Sequence, residues 1–332
     1  MREPSHDIAS NVHDAALIAS INTDAEFDSL AKRLFDFQKE QNTVFHSYLQ
    51  HISAGRSNGL PFLPIEAFKH EKVVCSDEYE IVFRSSGTTN SQHRSSHYVA
   101  NAALYSSLSK TAFERLFGPL SDWTILALLP SYVEQGESSL VFMVHEFLSA
   151  SQNPNSTFVD FDLDKLREHL MELKTIGAKT LLIGVSYALL DFAQLHAIDW
   201  HNLHVMETGG MKGRKKELTR SELHFALKQG FPSSPIHSEY GMTELLSQAY
   251  SLNEGWFIPP PWMKAKATDI SDPLRQLGPG ERGALAFIDL ANVHSCCFIQ
   301  TRDIGVVNDK GFFTVEGRID QSDLRGCNLL YT

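Results

Sequence analysis

Cysteine is scarce in this sequence and never paired at a useful spacing. The 332-residue chain holds four, Cys75, Cys296, Cys297 and Cys327, with no CxxC among them. That argues against a disulfide framework or a thiolate metal site and fits the reduced thiols of a cytosolic protein. Long apolar runs are missing too. The longest, "TILALLP" and "TLLIGVSYALL", fall far short of the about 20 residues that cross a bilayer as a helix. The opening "MREPSHDIASNVHD" lacks the apolar core of a signal peptide. A cytoplasmic protein without a membrane span is the expectation. Positive charge is thin as well: 29 Lys and Arg against 40 Asp and Glu leave a formal charge of −11. The one basic cluster, "GRKKELTR" at residues 213–220, is short and reads as the solvated start of a helix. Nucleic acid, which needs a concentrated basic surface, is not an expected partner.

What is present is an ordinary globular composition, 42% hydrophobic and 21% charged, on a chain long enough for a large core. Residues 24–52 set Phe27, Leu30, Leu34, Phe37, Val44 and Tyr48 at helical spacing, which predicts one or two amphipathic helices. From residue 80 the pattern alternates. Strands are expected at 80–84, 123–129, 157–160, 180–183 and 203–207, with helices from 98 and over 139–149, 163–176 and 186–196. Such alternation predicts an α/β fold with a mostly parallel sheet covered by helices. After Trp256 the texture shifts to short strands and Gly or Asn-Asp turns, a smaller β-rich subdomain. The expected division is a helical segment at 1–60, an α/β core at 61–255 and the β-rich part at 256–332.

One stretch does not look like the rest. "FRSSGTTNSQHRSSH", residues 83–97, carries five serines and two threonines with almost no bulk. Such composition suits a flexible linker, or a loop that wraps phosphate oxygens with backbone N–H groups and hydroxyls. It lacks the GxxxxGK[ST] pattern of the common NTPase loop. Its position inside a continuing βα rhythm favours the phosphate loop, because ligands of such sheets bind at the carboxyl ends of strands.

Three further segments, read as loops, add matching parts. "ETGG", residues 207–210, follows a strand, and its paired glycines let a flat ligand approach the backbone. "SEYGMTE", residues 238–244, is read between a strand and a helix. It supplies an aromatic face, a hydroxyl and a carboxylate, the parts for stacking a base, contacting a phosphate and holding Mg²⁺. "TRDIG", residues 301–305, with "EGRID", residues 316–320, offers a carboxylate for ribose hydroxyls with an arginine beside it.

Taken in order, these motifs resemble the large N-terminal domain of the adenylate-forming (ANL) superfamily, and within it the LuxE-type acyl-protein synthetases. "SSGTTNSQ" is similar to the superfamily's phosphate loop, "YGMTE" to its Tyr-Gly-x-Thr-Glu motif, "TRDIG" to its ribose aspartate and "GRID" to its hinge. "FLPIEAFK", "METGGMKGR" and "DLRGCNLLY" carry the LuxE flavour, and phenylacetate-CoA ligases share some of it. The resemblance spans the chain from about Leu60 onward.

It implies ATP and Mg²⁺ as cofactors and activation of a carboxylic acid, a fatty acid, as acyl-AMP. By motif match, Ser85, Ser86, Gly87, Thr88 and Thr89 would hold the β- and γ-phosphates. Gly209 and Gly210 would lie along adenine and Tyr240 would stack on it. Thr243 would contact the α-phosphate, and Glu244 would bind the metal. Asp303 would hold the ribose with Arg318 assisting, and Asp320 would be the hinge. Ser131 and the residues up to Gly136 would line the acyl pocket.

The sequence departs from the superfamily pattern in two places. The loop lacks its usual lysine, with His93 and Arg94 as replacement cations. No C-terminal lid domain is expected after Asp320, as the resemblance to the LuxE branch implies. Cys327 matches the LuxE cysteine that takes the acyl group as a thioester for a reductase partner or carrier, and Arg325 would favour its thiolate. The alternative for Cys327 is a buried structural thiol, which is also the reading for Cys75, Cys296 and Cys297. His145 reads as core or surface, and His237 lies nearer the expected site. Two other functions stay open at this point: an acyl-CoA or carrier ligase, and a non-catalytic nucleotide- or acyl-binding subunit.

Overall fold

The helical spacing of residues 24–52 resolves into two helices because Asn42 interrupts the run and caps the second. A computed structural model describes residues 14–52, 60–86, 94–130, 136–209, 218–252 and 255–319. A short α1 (Ala15–Ala19) leads to α2 (Asp24–Gln41) and α3 (Thr43–His51). Thr23 and Glu26 close a capping box at the start of α2, and the Asn42 side chain accepts from the Phe45 N–H of α3. Both satisfy N–H groups that a helix start leaves open. Phe27, Leu30 and Leu34 are buried on one stripe of α2, as the spacing required.

The remaining elements follow in order: β1 (Leu63–Pro64), α4 (Ala67–His70), β2 (Ile81–Arg84), β3 (Ser96–Val99), α5 (Ala102–Phe117), β4 (Thr124–Leu128) and α6 (Ser139–Ser151). Then come β5 (Thr157–Phe158), α7 (Leu163–Thr175), β6 (Thr180–Val185), α8 (Ser186–Leu195), β7 (Leu203–Thr208) and α9 (Arg220–Gly230). The described residues continue with β8 (Ile236–Tyr240), β9 (Ala249–Ser251), β10 (Met263–Thr268), β11 (Arg282–Asp289), β12 (Phe298–Val306) and β13 (Gly317–Arg318).

Six strands form the central sheet in the order β5-β4-β6-β7-β8-β9. All its pairs are parallel except β8 with β9. β4 and β6 are buried at every position, as strands covered on both faces must be. This is the α/β architecture that the alternation predicted. A second sheet orders β1-β12-β11-β10, with β13 also on β12. It joins residues 63–64 in parallel to the late β-rich segment. The first helices pack there too: the Gln38 amide donates to the carbonyls of Asn292 and Val293 at 2.8 and 3.0 Å. Gly305 in β12 is required by close approach, since a Cβ there would lie 1.9 Å from the Thr314 carbonyl.

Three local expectations are corrected. The segment after the Ser/Thr-rich run is not a helix from Tyr98 but strand β3, which pairs antiparallel with β2. The helix starts at Ala102, capped by the Asn101 side chain. His97 and Val99 are buried while Ser96 and Tyr98 are half-buried, a period of two that outcompetes the helical pattern downstream. The segment after Tyr240 leads into a turn and strand β9 rather than a helix. "TRDIG" lies within β12 rather than in a loop.

Candidate functional site

The β2–β3 hairpin carries the Ser/Thr-rich loop at its tip. Its ladder runs Phe83 opposite His97 and Arg84 opposite Ser96. It extends one step further, with the Ser85 N–H donating to the Ser95 carbonyl and the Ser95 N–H to the Ser85 hydroxyl, each at 3.0 Å. Ser85 and Ser86 are half-buried at the mouth of the loop. Gly87, Thr88, Thr89 and His93 lie outside the described residues. Arg94 folds back on the stem: it donates to the Ser85 carbonyl and lies 3.6 Å from Glu137, which also pairs with Arg84. Its charge is therefore already engaged at the base of the loop.

The Tyr-Gly-x-Thr-Glu segment begins in β8 and turns away at Gly241. Thr243 is half-buried and Glu244 is buried. Burial pushes the Glu244 carboxyl up, and the Ser95 hydroxyl beside it opposes that shift. Behind the turn, the His97 Nδ1–H donates to the Thr243 carbonyl at 2.8 Å, and the Asn292 side chain donates to the Glu244 carbonyl at 2.9 Å. Burial also pushes the His97 ring down to about 4.

Tyr240 brings the third group together. Its hydroxyl donates to Asp303 Oδ2 at 2.7 Å across 63 positions. Arg318 pairs with the other Asp303 oxygen at 3.1 Å, and cross-strand register puts the two opposite each other. Burial pushes the Asp303 carboxyl up, while Arg318 and Tyr240 hold against it. Phe257, Phe287 and Phe313 surround the Tyr240 ring at centroid distances of 5.2–5.6 Å. Gly209 follows β7, exposed and with φ +66°, a conformation that favours glycine. Gly210, Asp320 and Cys327 lie outside the described residues, as do residues 131–135 of the expected acyl-pocket segment.

Sequence reasoning missed a buried layer beside this site. Glu207 on β7, read only as the head of "ETGG", is buried and paired with Arg220. Arg220 itself, taken for solvated surface, stands 4.6 Å over the Phe257 ring. On the next strand Glu239 is buried too and accepts from the Thr208 hydroxyl. His97 carried no signal in the sequence; its burial on β3 shows only in the fold. His237, by contrast, turns from the site: its ring meets His204 at 2.9 Å and the Leu252 carbonyl at 2.8 Å. His145 is exposed, and Cys75, Cys296 and Cys297 are partly or fully buried with free thiols.

As a metal site the arrangement has one well-placed carboxylate, Glu244, and the described residues hold no cluster of three or more His, Cys, Asp or Glu. That donor set fits Mg²⁺, which keeps waters and takes one or two carboxylates together with substrate phosphates. No helix among the described residues is long and apolar enough to cross a membrane.

Comparison with known proteins follows the same lines. ATP-bound MatB from Rhodopseudomonas palustris superposes with a TM-score of 0.52 at 17% identity, covering 71% of this chain and 47% of that one. The chain has the adenylate-forming fold. It spans about half the length of that solved structure. Over their sequences, two curated relatives match most of the chain. Both are described as long-chain-fatty-acid–luciferin-component ligase. The one from Aliivibrio fischeri is 24% identical over 313 residues, 85% of this chain and 79% of the relative. The one from Vibrio harveyi is 24% identical over 337 residues, 90% of this chain and 85% of the relative. No protein-family model matches the chain. The resemblance to LuxE-type ligases read from the motifs thus holds along most of the sequence.

Proposed function

We propose that this chain is an ATP-dependent acyl-protein synthetase, which activates a fatty acid as acyl-AMP and passes the acyl group to a protein cysteine. The observation that carries this reading is the clasp on Asp303. Tyr240 comes from a motif 63 positions before Asp303, and it meets Asp303 and Arg318 within hydrogen-bond distance. The similarity to the two luciferin-component ligases supports the choice of a fatty acid, and the ATP-bound neighbour supports the nucleotide.

In this reading Ser85, Ser86, Gly87, Thr88 and Thr89 hold the β- and γ-phosphates. Gly209 and Gly210 flank adenine, Tyr240 lies against it, and Asp303 with Arg318 holds the ribose. Thr243 contacts the α-phosphate. Glu244 would hold Mg²⁺, which when bound would supply neutralisation of phosphate charge. A carboxylate oxygen of the acid attacks the α-phosphorus. The bond to the bridging oxygen breaks, and pyrophosphate leaves with that electron pair. No protein nucleophile takes part in this half, so the residues work by positioning and charge neutralisation. In the second half the Cys327 thiolate attacks the acyl carbonyl and AMP leaves with the carboxylate-derived oxygen. The thioester then serves a reductase or carrier partner.

The test is ATP–pyrophosphate exchange by the purified chain with Mg²⁺ across short, long and aromatic acids. Acid-dependent exchange that vanishes in Glu244→Ala is expected. ATP binding without exchange for any acid would favour a binding subunit instead.

A further inference from the structure

The stem of the phosphate hairpin does more than present its loop. Residues two apart on a strand face the same side, so Ser95 and His97 point together toward the Thr243 and Glu244 turn. The Ser95 hydroxyl lies beside the Glu244 carboxylate and favours its charged form. The His97 ring reaches the Thr243 carbonyl at 2.8 Å, 146 positions away, and Ser295 Oγ at 2.9 Å, 198 positions away. A backbone carbonyl only accepts, so Nδ1 carries the hydrogen and Nε2 accepts from Ser295. His97 is 1% exposed, and the Phe68 ring stands edge-on to it at 5.5 Å. The same turn is held from behind by Asn292 and, further along, by Asp289, which accepts from the Leu246 and Ser247 N–H groups at 2.9 and 3.0 Å.

We propose that His97, with Ser95 beside it, is a positioning residue that locks the stem of the β2–β3 hairpin to the Thr243 and Glu244 turn, fixing the carboxylate relative to that stem. The inference rests on the reading of Glu244 as the magnesium carboxylate. A polar bolt suits this place. A buried apolar contact would hold the two segments together as strongly but would tolerate sliding, whereas two directional hydrogen bonds specify one register. The bond to Thr243 fixes the backbone one residue before the carboxylate, and the bond to Ser295 fixes the ring that makes it.

Two near-isosteric substitutions separate the bonds. The side-chain nitrogen of Asn falls near histidine Nδ1, so His97→Asn keeps the donor to Thr243. Gln reaches the Nε2 position, so His97→Gln keeps only the Ser295 contact. Mg·ATP affinity is measured by calorimetry on the full chain, beside melting temperature and the kcat and KM of exchange. His97→Asn is expected within about twofold of the parent for Mg·ATP. His97→Gln and His97→Ala are expected to weaken it about tenfold, the equivalent of one buried hydrogen bond, and to lower kcat while leaving the KM for acid in place. Ser95→Ala, the mildest change, is expected to raise the Mg²⁺ concentration for half-maximal exchange about tenfold.

Equal Mg·ATP affinity in all the His97 variants, or equal damage by Asn and Gln, would overturn the proposal. A parent that binds Mg·ATP but exchanges nothing removes the adenylation reading, while the affinity series still decides this one. A parent that binds no Mg·ATP overturns both.

Discussion

Glu207 and Glu239 sit on neighbouring strands, β7 and β8, and both are buried. Their acidities part in opposite directions. Burial pushes both carboxyls up. At Glu207 the Arg220 charge, with His224 and Ser238, carries the group below its ordinary value. At Glu239 the Thr208 hydroxyl is the main relief and the Glu207 charge adds to the burden, so it rises to about 7. Two carboxylates with one environment by burial are two different chemical groups: Arg220 pairs directly with Glu207 and acts on Glu239 only weakly and from a distance. Glu207 is a fixed anion holding the start of α9 against the sheet. Glu239 is an acid poised to gain or lose a proton near neutral pH.

Arg220→Leu breaks the comparison most sharply, because it leaves Glu207 without its cation. Removing one partner of a buried pair costs about 3–5 kcal/mol. Urea unfolding of the variant should fall by that range, and Arg220→Leu with Glu207→Gln should recover most of it. A loss under about 1 kcal/mol in the single variant would mean that the pair is not what holds Glu207 charged.

Glu239→Gln comes next. The folded group is raised from 4.5 to about 7, so its contribution to stability is full below pH 4.5. It is lost as pH rises through about 7, and the slope vanishes above. The loss is at most about 3 kcal/mol. Urea unfolding between pH 5 and 8 should show this fall in the parent and a flatter profile in the variant.

Asp303 supplies a third, intermediate carboxylate. Tyr240→Phe removes one hydrogen bond to it and should cost about 1 kcal/mol in the same assay. Arg318 is 69% exposed, so Arg318→Gln should change stability by less than about 1 kcal/mol. Its larger effect should be on nucleotide affinity, read by calorimetry.

The fold was legible where local period and covering were unambiguous. "TILAL" and "TLLIGV" could only be buried strands, and the strand–helix alternation through residue 208 named the architecture. It was illegible where one pattern ran into another. Ser96 to Val99 is four residues of strand abutting a 16-residue helix, and the longer signal masked the shorter. The site was legible as motifs because phosphate and ribose chemistry narrows the usable residue types. Its support was not. His97 finds Thr243 and Ser295, and Arg220 finds Glu207, through tertiary placement alone, and no spacing in the sequence announces either pair.

Oxygen tracing tests the central claim most directly. The chain is supplied with Mg²⁺, ATP and a fatty acid carrying ¹⁸O in both carboxylate positions, and the products are read by mass spectrometry. Adenylation followed by transfer to a thiol leaves one acid oxygen on phosphorus, so AMP carrying one ¹⁸O is the predicted result. Label in inorganic phosphate, or AMP without label, would contradict the account.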